Sequence, residues 1–397
     1  MTRTLVLAPA LPFPPRYGAA IRTWQNVVAL SRMGPVAVFG LRTDSRSPTP
    51  LSEIEVWRTS SAGINADGEG ESLDWLRRPG AVPADAYFSP AAVAEIETLL
   101  GEFAPDVVVV ESMDLYRYVE PLEARGVVVI LDCHNAAGAL ERELSQWPTI
   151  SRPAALIRTK LTERVEEVEA TTLARVDQVW ACSERDAALL RACAGPEVPV
   201  VVVPNTVDVD HYNFNPERSR KRTLVFPAMF AYLPSEAAAL LLIDEVMAPL
   251  AEEFSDARLM LIGRNATRAM LAAAAPNPRV TVTGPVDDMR PYLATAGAMP
   301  VPLFGGGGTR LKALEAFAAG IPVVSTAKGV EGLDVEAGKH YLPAEDGPGF
   351  IEAIGTLWSD AATIRRLTHE AREVVREQYS WPVAQRAIAA ALSALRS

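Results

Sequence analysis

The sequence predicts an α/β protein built from two doubly wound domains that face each other across a cleft. Three observations support this prediction: short apolar, β-branched runs alternate with longer amphipathic segments, the alternation pauses at residues 204–222, and it then starts afresh. Apolar runs that are continuous are typical of parallel strands covered on both faces. With 397 residues, the chain is long enough for two such domains, each with its own core.

The predicted elements follow this alternation along the chain. Strands are predicted at 4–8, 36–41, 107–111, 127–132, 178–182 and 200–203, and then at 223–226, 258–262, 280–283, 298–301 and 322–325. Helices are predicted between them, among others at 21–31, 91–103, 156–174 and 236–253. The polar, turn-rich residues 204–222 form the predicted linker. Ligands of such sheets bind at the carboxyl ends of the strands, so we expect the functional residues there.

Composition and charge exclude several classes of protein. Apolar residues make up 49% and charged residues 22%, as in an ordinary globular protein. The net charge of −11 argues against nucleic acid as the main partner. Three widely spaced cysteines, Cys133, Cys182 and Cys193, indicate neither a disulfide framework nor a zinc site. Because signal-peptide and membrane-spanning patterns are lacking, we expect a cytoplasmic protein, with peripheral membrane contact left open.

The most informative stretch contains four consecutive glycines, residues 305–308, after a predicted strand. Arg310 and Lys312 come next, and Glu315 follows within a predicted helix. Glycines let the backbone approach an anion, and a helix start offers free N–H groups and the positive end of its dipole. Arginine can bind a phosphate through two hydrogen bonds, and a carboxylate can accept hydrogen bonds from ribose hydroxyls. The pattern predicts a diphosphate site, and the alternative is a flexible turn before a helix with a solvated basic start.

Two further positions follow predicted strands in the first half of the chain. A proline-rich loop ends at Gly18, where a helix begins, and this pattern fits an anion-binding helix start and a plain connection equally well. His134, one of four histidines, stands in the segment DCHN at 132–135. A histidine at the end of a strand can bind a ligand hydroxyl or carry a proton near neutral pH. A loop histidine with satisfied hydrogen bonds is the alternative.

These residues together resemble the retaining glycosyltransferases of family 4, also called glycosyl transferases group 1. Their fold is GT-B, two Rossmann-like domains that face each other. The resemblance is strongest over residues 280–333, with GGGGTRLKALEAFAAGIP at its centre, and includes PFPPRYGAAIR, CSERDAALL, VPNTVDVDHY and the terminal SWPVAQRAIAAAL. It implies an N-terminal acceptor-side domain at 1–206, joined by a C-terminal helix at 380–397, and a nucleotide-sugar-binding domain at 207–379.

The resemblance implies transfer of a sugar from a nucleoside diphosphate sugar to an acceptor hydroxyl, with retained anomeric configuration. The nucleotide sugar is then a co-substrate, and no other cofactor is implied. The acceptor is a glycan, a lipid carrier or a small molecule. No metal is implied either. Two alternatives on the same fold stay open: a nucleotide-sugar 2-epimerase and a non-catalytic nucleotide-sugar-binding protein.

The resemblance also assigns roles to single residues. It implies that Glu315 holds the ribose and that His134 contacts the donor sugar or the acceptor. The implied catalytic residues are His134, Arg310 and Lys312. The implied donor-binding residues are Gly18, Val286, Gly307, Gly308, Thr309, Arg310, Lys312 and Glu315. Many family members carry a glutamate where Gly307 stands and a basic pair where residues 227–230 are PAMF, so we expect more of the binding to depend on Arg310 and Lys312.

Overall fold

The computed structural model describes residues 1–42, 51–62, 64, 73–148, 150–217, 222–308 and 310–395. The chain divides into two compact units, Met1–Asn205 with Pro382–Ser397 (unit 1) and Thr206–Trp381 (unit 2). The boundaries predicted from the sequence, after residue 206 and before residue 380, lie beside these. The roles predicted for the two domains stay predictions.

Unit 1 is built around a seven-stranded parallel sheet. Its strands are β1 (Thr4–Ala8), β2 (Val36–Gly40), β3 (Ile54–Thr59), β4 (Val107–Glu111), β5 (Val128–Cys133), β6 (Gln178–Ala181) and β7 (Val200–Val202). Its helices are α1 (Gly18–Ser31), α2 (Pro90–Phe103), α3 (Val119–Glu123), α4 (Ala137–Ser145), α5 (Arg152–Leu173) and α6 (Glu184–Ala194). The strand order β3-β2-β1-β4-β5-β6-β7 reverses between β1 and β4, which makes this pair of strands the switch point of a doubly wound sheet.

The strands at the centre of unit 1 are covered on both faces. Every residue of β1, β2 and β4 is buried, as their continuous apolar sequences predict. The edge strand β3 has no predicted counterpart because the charged Glu55 and Arg58 interrupt the apolar residues of its sequence, IEVWRT, and only Ile54 is fully buried. An edge strand covered on one face loses the continuous apolar pattern on which the other strand predictions rest.

Unit 2 repeats this design with shorter strands. They are β8 (Thr223–Pro227), β9 (Arg258–Ile262), β10 (Val280–Gly284), β11 (Met299–Val301), β12 (Val323–Ser325) and β13 (Leu342–Pro343). Its helices are α7 (Leu233–Leu241), α8 (Met247–Glu253), α9 (Arg268–Ala274), α10 (Arg290–Thr295), α11 (Leu311–Ala319), α12 (Gly347–Ser359) and α13 (Ala361–Gln378), with a π-helical turn, Leu242–Val246, between α7 and α8.

Two three-stranded sheets form the centre of unit 2, in the orders β10-β9-β8 and β11-β12-β13. A parallel bridge between Leu224 and Ala298 joins them at β8 and β11. The combined order matches that of the first six strands of unit 1, and its switch point lies between β8 and β11. The carboxyl ends of β8 and β11 are therefore where a doubly wound sheet binds its ligand.

The C-terminal helix α14 (Trp381–Ala394) begins at the last residue of unit 2 and otherwise belongs to unit 1. Within unit 1 it is anchored to β6, because the buried Gln178 side chain donates a hydrogen bond to the Ala391 carbonyl at 3.1 Å. No helix in the described part of the chain is both long and apolar enough to cross a membrane.

Candidate functional site

In unit 2 the glycine run connects β11 to α11 beside the switch point. Gly306 and Gly308 have φ angles of +109° and +71°, which glycine adopts more readily than any other residue. A Cβ atom at Gly306 would also lie 2.5 Å from the Tyr232 hydroxyl, so this position has no room for a side chain. Positions 306 and 308 therefore need glycine for their conformation, and position 306 needs it also for its packing against the loop that follows β8.

Arg310 directs its guanidinium onto this loop. Its Nη1 donates to the Gly307 carbonyl and its Nη2 to the Gly306 carbonyl, both at 2.7 Å, and its Nε donates to the Lys328 carbonyl at 3.3 Å. The residue is only 7% exposed. Arg310 therefore braces the loop, which differs from the direct grip on a diphosphate predicted from the sequence. The direct contact stays a prediction.

Lys312 lies half-buried on the first turn of α11. Its ammonium nitrogen is 4.2 Å from the centroid of the Phe226 ring, in β8. Burial and the nearby charge of Arg310 lower the pKa of Lys312 to about 7. A bound anion would favour the charged form again, so this side chain is suited to respond to a diphosphate.

Glu315 lies one turn further along α11 and is held by a residue from the predicted linker. The Tyr212 hydroxyl donates to its Oε1 at 2.8 Å. Burial raises the pKa of Glu315, although the hydrogen bond from Tyr212 and the charge of Lys312 oppose the shift. Because a carboxylate has about four acceptor positions, the oriented group can still accept hydrogen bonds from two ribose hydroxyls. Tyr212 has no role predicted from the sequence, although it ends the motif VPNTVDVDHY.

The remaining residues predicted for unit 2 fall into two places. Gly307 and Gly308 are half-buried in the same loop as Arg310. Val286 is half-buried in the connection between β10 and α10, at the end of a different strand. Thr309 lies outside the described residues. The structure therefore brings the loop glycines, Arg310, Lys312 and Glu315 together, and places Val286 on a separate loop.

In unit 1, Gly18 is the exposed first residue of α1, which follows β1 at the switch point. Its N-cap residue, Tyr17, makes no side-chain hydrogen bond to the helix start. The helix therefore carries no side-chain cap from that residue, as an anion-binding helix start would require. Donor binding at Gly18 stays a prediction.

His134 follows β5 and joins a network of buried charges. Its Nε2 lies 3.3 Å from Oε2 of Glu111 and 3.5 Å from Oδ2 of Asp132. Both carboxylates are fully buried. Burial by itself would lower the pKa of His134, but hydrogen bonds and charge attraction from Asp132 and Glu111 raise it to about 9. The imidazole is therefore held in its charged form near neutral pH.

Arg22, one turn into α1, compensates the charge of Asp132. Its Nε and Nη2 donate to the two carboxylate oxygens at 2.8 and 2.5 Å, and its Nη1 donates to the Val203 carbonyl and to Oδ1 of Asn205. Although burial acts in the opposite direction, the guanidinium holds the pKa of Asp132 well below its usual range. The ion pair links α1, β5 and the end of unit 1's N-terminal segment.

Glu111, at the end of β4, is held by two other residues of α1. Asn26 Nδ2 donates to Oε1 and Thr23 Oγ1 donates to Oε2, each at 3.0 Å. Glu111, Thr23 and Asn26 are not among the site residues predicted from the sequence. The sequence feature that indicates them is a polar residue at a position where the rest of a strand, or of the covered face of a helix, is apolar.

Glu111, Asp132 and His134 offer ligand atoms within 4.8 Å of one another, a spacing that a metal ion can use. The oxygens of both carboxylates, however, already accept hydrogen bonds from Arg22, Thr23 and Asn26. A cation here would also lie beside the guanidinium of Arg22 and be repelled by it. The arrangement favours a hydrogen-bonded charge network over a metal centre.

Comparison with known structures identifies the class of protein that has this fold. Sucrose-phosphate synthase from Thermosynechococcus elongatus is 17% identical with a TM-score of 0.75, and 99% of each chain is covered. Anabaena Alr3699/HepE is 14% identical in complex with UDP and glucose, and 13% identical in complex with UDP-glucose, with TM-scores of 0.71 and 0.70. In both comparisons 99% of this chain and 100% of the HepE chain are covered. The fold is that of the GT-B glycosyltransferases.

Two family models match the sequence. The model described as glycosyl transferase 4-like domain matches residues 17–206, and the model described as glycosyl transferases group 1 matches residues 221–360. The chain therefore belongs to the group 1 glycosyl transferases. None of the curated proteins compared with the sequence matches it.

Proposed function

We propose that this chain is a retaining glycosyltransferase that moves a sugar from a nucleoside diphosphate sugar to an acceptor hydroxyl. The observation that supports this most is the segment from the glycine run to Glu315. It combines a braced loop with two left-handed glycines, the start of α11, a half-buried lysine and an oriented carboxylate. These groups match the chemistry of a pyrophosphate and a ribose, and they lie beside the switch point of the unit 2 sheet.

In the proposed reaction, the bond between the anomeric carbon and the phosphate oxygen breaks as the acceptor oxygen attacks from the same face. Because the new bond forms on the face that the phosphate leaves, the configuration is retained, and the acceptor proton passes to the leaving phosphate oxygen. The protein's task is to stabilise the charge that grows on the diphosphate. Lys312, the backbone N–H groups of the glycine loop and the positive end of the α11 dipole supply this stabilisation. Glu315 fixes the nucleotide through its ribose.

We propose that the reaction needs no metal ion, because Lys312, the backbone N–H groups of the glycine loop and the start of α11 can supply the positive charge and hydrogen bonds that a diphosphate needs. Arg310 contributes by holding the carbonyls of Gly306 and Gly307, which directs the loop's N–H groups away from those carbonyls. Transfer that continues in excess chelator would support this part of the proposal. Loss of transfer in chelator, with rescue by a divalent ion, would contradict it.

The donor site is tested by binding. HepE has been solved with UDP and with UDP-glucose, so uridine nucleotides are the first probes to use. We expect Lys312→Ala to weaken UDP binding about 10- to 100-fold, the range of one lost charged hydrogen bond. The exposed Lys339 provides the matched control, and Lys339→Ala should bind like the wild type. Equal affinity of all three proteins in titration calorimetry would contradict the assigned site.

The reaction is tested with a panel of nucleotide sugars and acceptors, followed by NMR of the products. Transfer with an unchanged anomeric configuration supports the proposal, and an inverted product contradicts the retaining mechanism. Conversion of the donor sugar without any acceptor would indicate the 2-epimerase. Binding without turnover of any donor would indicate a nucleotide-sugar-binding protein. The glycine at position 307, where many family members have a glutamate, is the feature that favours this last alternative.

A further inference from the structure

The buried network around His134 in unit 1 contains more negatively charged groups than Arg22 alone can compensate. Arg22 carries one positive charge, whereas Asp132 and Glu111 carry two negative charges when ionised. All three side chains are at most 1% exposed, whereas the His134 side chain is 17% exposed. A buried charge is costly unless it is compensated, so the network needs one more positive charge or one proton on Glu111.

The hydrogen bonds indicate which group carries that proton. Glu111 accepts from Asn26 and Thr23 on its two oxygens, an arrangement that favours the ionised carboxylate. Asn26 Nδ2 also donates to Oδ2 of Asp132 at 3.1 Å. With both carboxylates ionised, the imidazolium of His134 completes the balance. Its Nε2 lies between the two carboxylates, so the other ring nitrogen, Nδ1, is the one left for a ligand.

We propose that Glu111 is a positioning residue for His134: together with Asp132 it holds Nε2 and keeps the ring as a hydrogen-bond donor through Nδ1 to a substrate oxygen. In this role His134 cannot act as a general base near neutral pH, because the charged ring has no free lone pair. The proposal rests on the proposed function for the substrate, but the state of the ring can be measured without any substrate.

Several ionisable groups surround His134, and each belongs to a different neighbouring element. Burial raises the pKa of Glu111, and the charge of Asp132 raises it further, whereas His134 lowers it. The thiol of Cys182 donates to the His134 carbonyl at 3.4 Å, so it contacts the backbone and not the ring. The charged and titratable neighbours are Glu111 (β4), Asp114 (the turn after β4), Asp132 (β5), Arg22 (α1) and Cys182 (after β6).

The first test is a pH titration of the ligand-free protein with isotope-labelled histidine, followed by NMR. The chain has only four histidines, so His134→Gln identifies the signal. We expect both ring nitrogens of His134 to be protonated at pH 7 and the pKa to lie near 9. A neutral ring at pH 7 in the wild-type protein would overturn the proposal, whether or not the chain transfers sugar.

The second test uses Glu111→Gln, which keeps the shape of the side chain but removes its negative charge and replaces one acceptor oxygen with an NH2 donor. We expect the pKa of His134 to fall by about one to three units, the effect of removing a close opposite charge. The control is Glu120→Gln on α3, whose side chain is 70% exposed. Equal pKa values in the two variants would contradict the role of Glu111, and a thermal melt verifies that both variants fold.

The third test distinguishes a hydrogen-bond donor from a general base at His134 by the pH profile of kcat at saturating nucleotide sugar, where the bound diphosphate keeps Lys312 charged. If His134 acts as a hydrogen-bond donor, activity falls as pH rises through its pKa. If His134 acts as a general base, activity rises there. We expect the wild type to lose activity on the alkaline side and Glu111→Gln to lose it at lower pH, while Glu120→Gln follows the wild type. A rise through the same pH range would overturn the donor role. If no transfer were detected, the proposed function would be rejected. The NMR test of the protonation state of His134 would still decide the role of Glu111.

Discussion

At the scale of the residue, two opposing effects act on the pKa of Lys312. Burial and Arg310 favour the neutral amine and lower its pKa to about 7, whereas a bound diphosphate would favour the ammonium. Above pH 7 the free protein therefore holds mostly neutral Lys312. Binding of a diphosphate there must take up a proton.

We accordingly expect UDP affinity to fall as pH rises above about 7, by up to about tenfold per pH unit while only the bound form keeps its proton. Titration calorimetry at pH 8 in two buffers of different ionisation enthalpy measures the proton uptake directly. Lys312→Arg is the control, since a guanidinium stays charged throughout this range. Proton uptake that is absent in the wild type, or unchanged in Lys312→Arg, would contradict the expectation.

The sequence predicts the candidate donor-binding residues of unit 2 but not the residues that contact them. Glu315, Lys312 and the glycines form one local pattern, which a single sequence displays. Tyr212 is 103 positions from Glu315, and Glu111 is 23 positions from His134, so these pairs exist only once the sheets have formed. The brace made by Arg310 was hidden for another reason: a basic residue after a glycine run predicts charge, but not the direction of the side chain.

At the scale of the element, the loop between β11 and α11 depends on backbone geometry. Gly306→Ala would place a methyl group against the Tyr232 hydroxyl in a left-handed conformation. We expect it to cost about 1–3 kcal/mol in the free energy of unfolding and to weaken UDP binding. Chemical denaturation and calorimetry measure the two effects.

The matched control for this loop is Gly101→Ala in α2 of unit 1. Position 101 is exposed and helical, and a Cβ there meets nothing within 4 Å. Alanine should therefore raise stability by about 0.5–1 kcal/mol through its helix propensity and leave UDP binding unchanged. If Gly306→Ala behaved like this control, the packing of the loop against Tyr232 would be refuted.

Elements were predictable where burial gave them a clear pattern. The covered strands β1, β4 and β5 stand out as apolar runs, and α11 follows the glycine run directly. By contrast, β13 has only two residues, too few for any periodicity, and charged residues interrupt the apolar residues of the edge strand β3. Their absence from the prediction did not affect the sites, because the candidate residues follow β1, β5, β10 and β11.

At the scale of the whole molecule, two units with the same strand order carry unlike sites. Unit 2 offers N–H groups, Lys312 and Glu315, whereas unit 1 offers a buried charge network around His134. We therefore expect UDP, which lacks the sugar, to stabilise unit 2. At 100 times its Kd, the ligand should add about 2.7 kcal/mol to the stability of that unit.

Hydrogen exchange measures how the stability that UDP adds is distributed between the two units. Amides in the core of unit 2 that exchange by unfolding should slow about 100-fold with UDP. Uridine, which has the base and the ribose without phosphates, is the matched control and should give far less protection at the same concentration. Protection confined to the core of unit 1, or equal protection by UDP and uridine, would argue against a diphosphate site in unit 2.

The path of the chain also sets an order of assembly during synthesis. Unit 2 is one uninterrupted stretch, whereas unit 1 combines residues that precede this stretch with residues that follow it. Until Ala391 leaves the ribosome, Gln178 lacks the carbonyl to which it donates in the finished protein. Of the two units, unit 1 is thus started first and completed last. When all residues of unit 2 have been synthesised, unit 1 still lacks helix α14, which is anchored to β6.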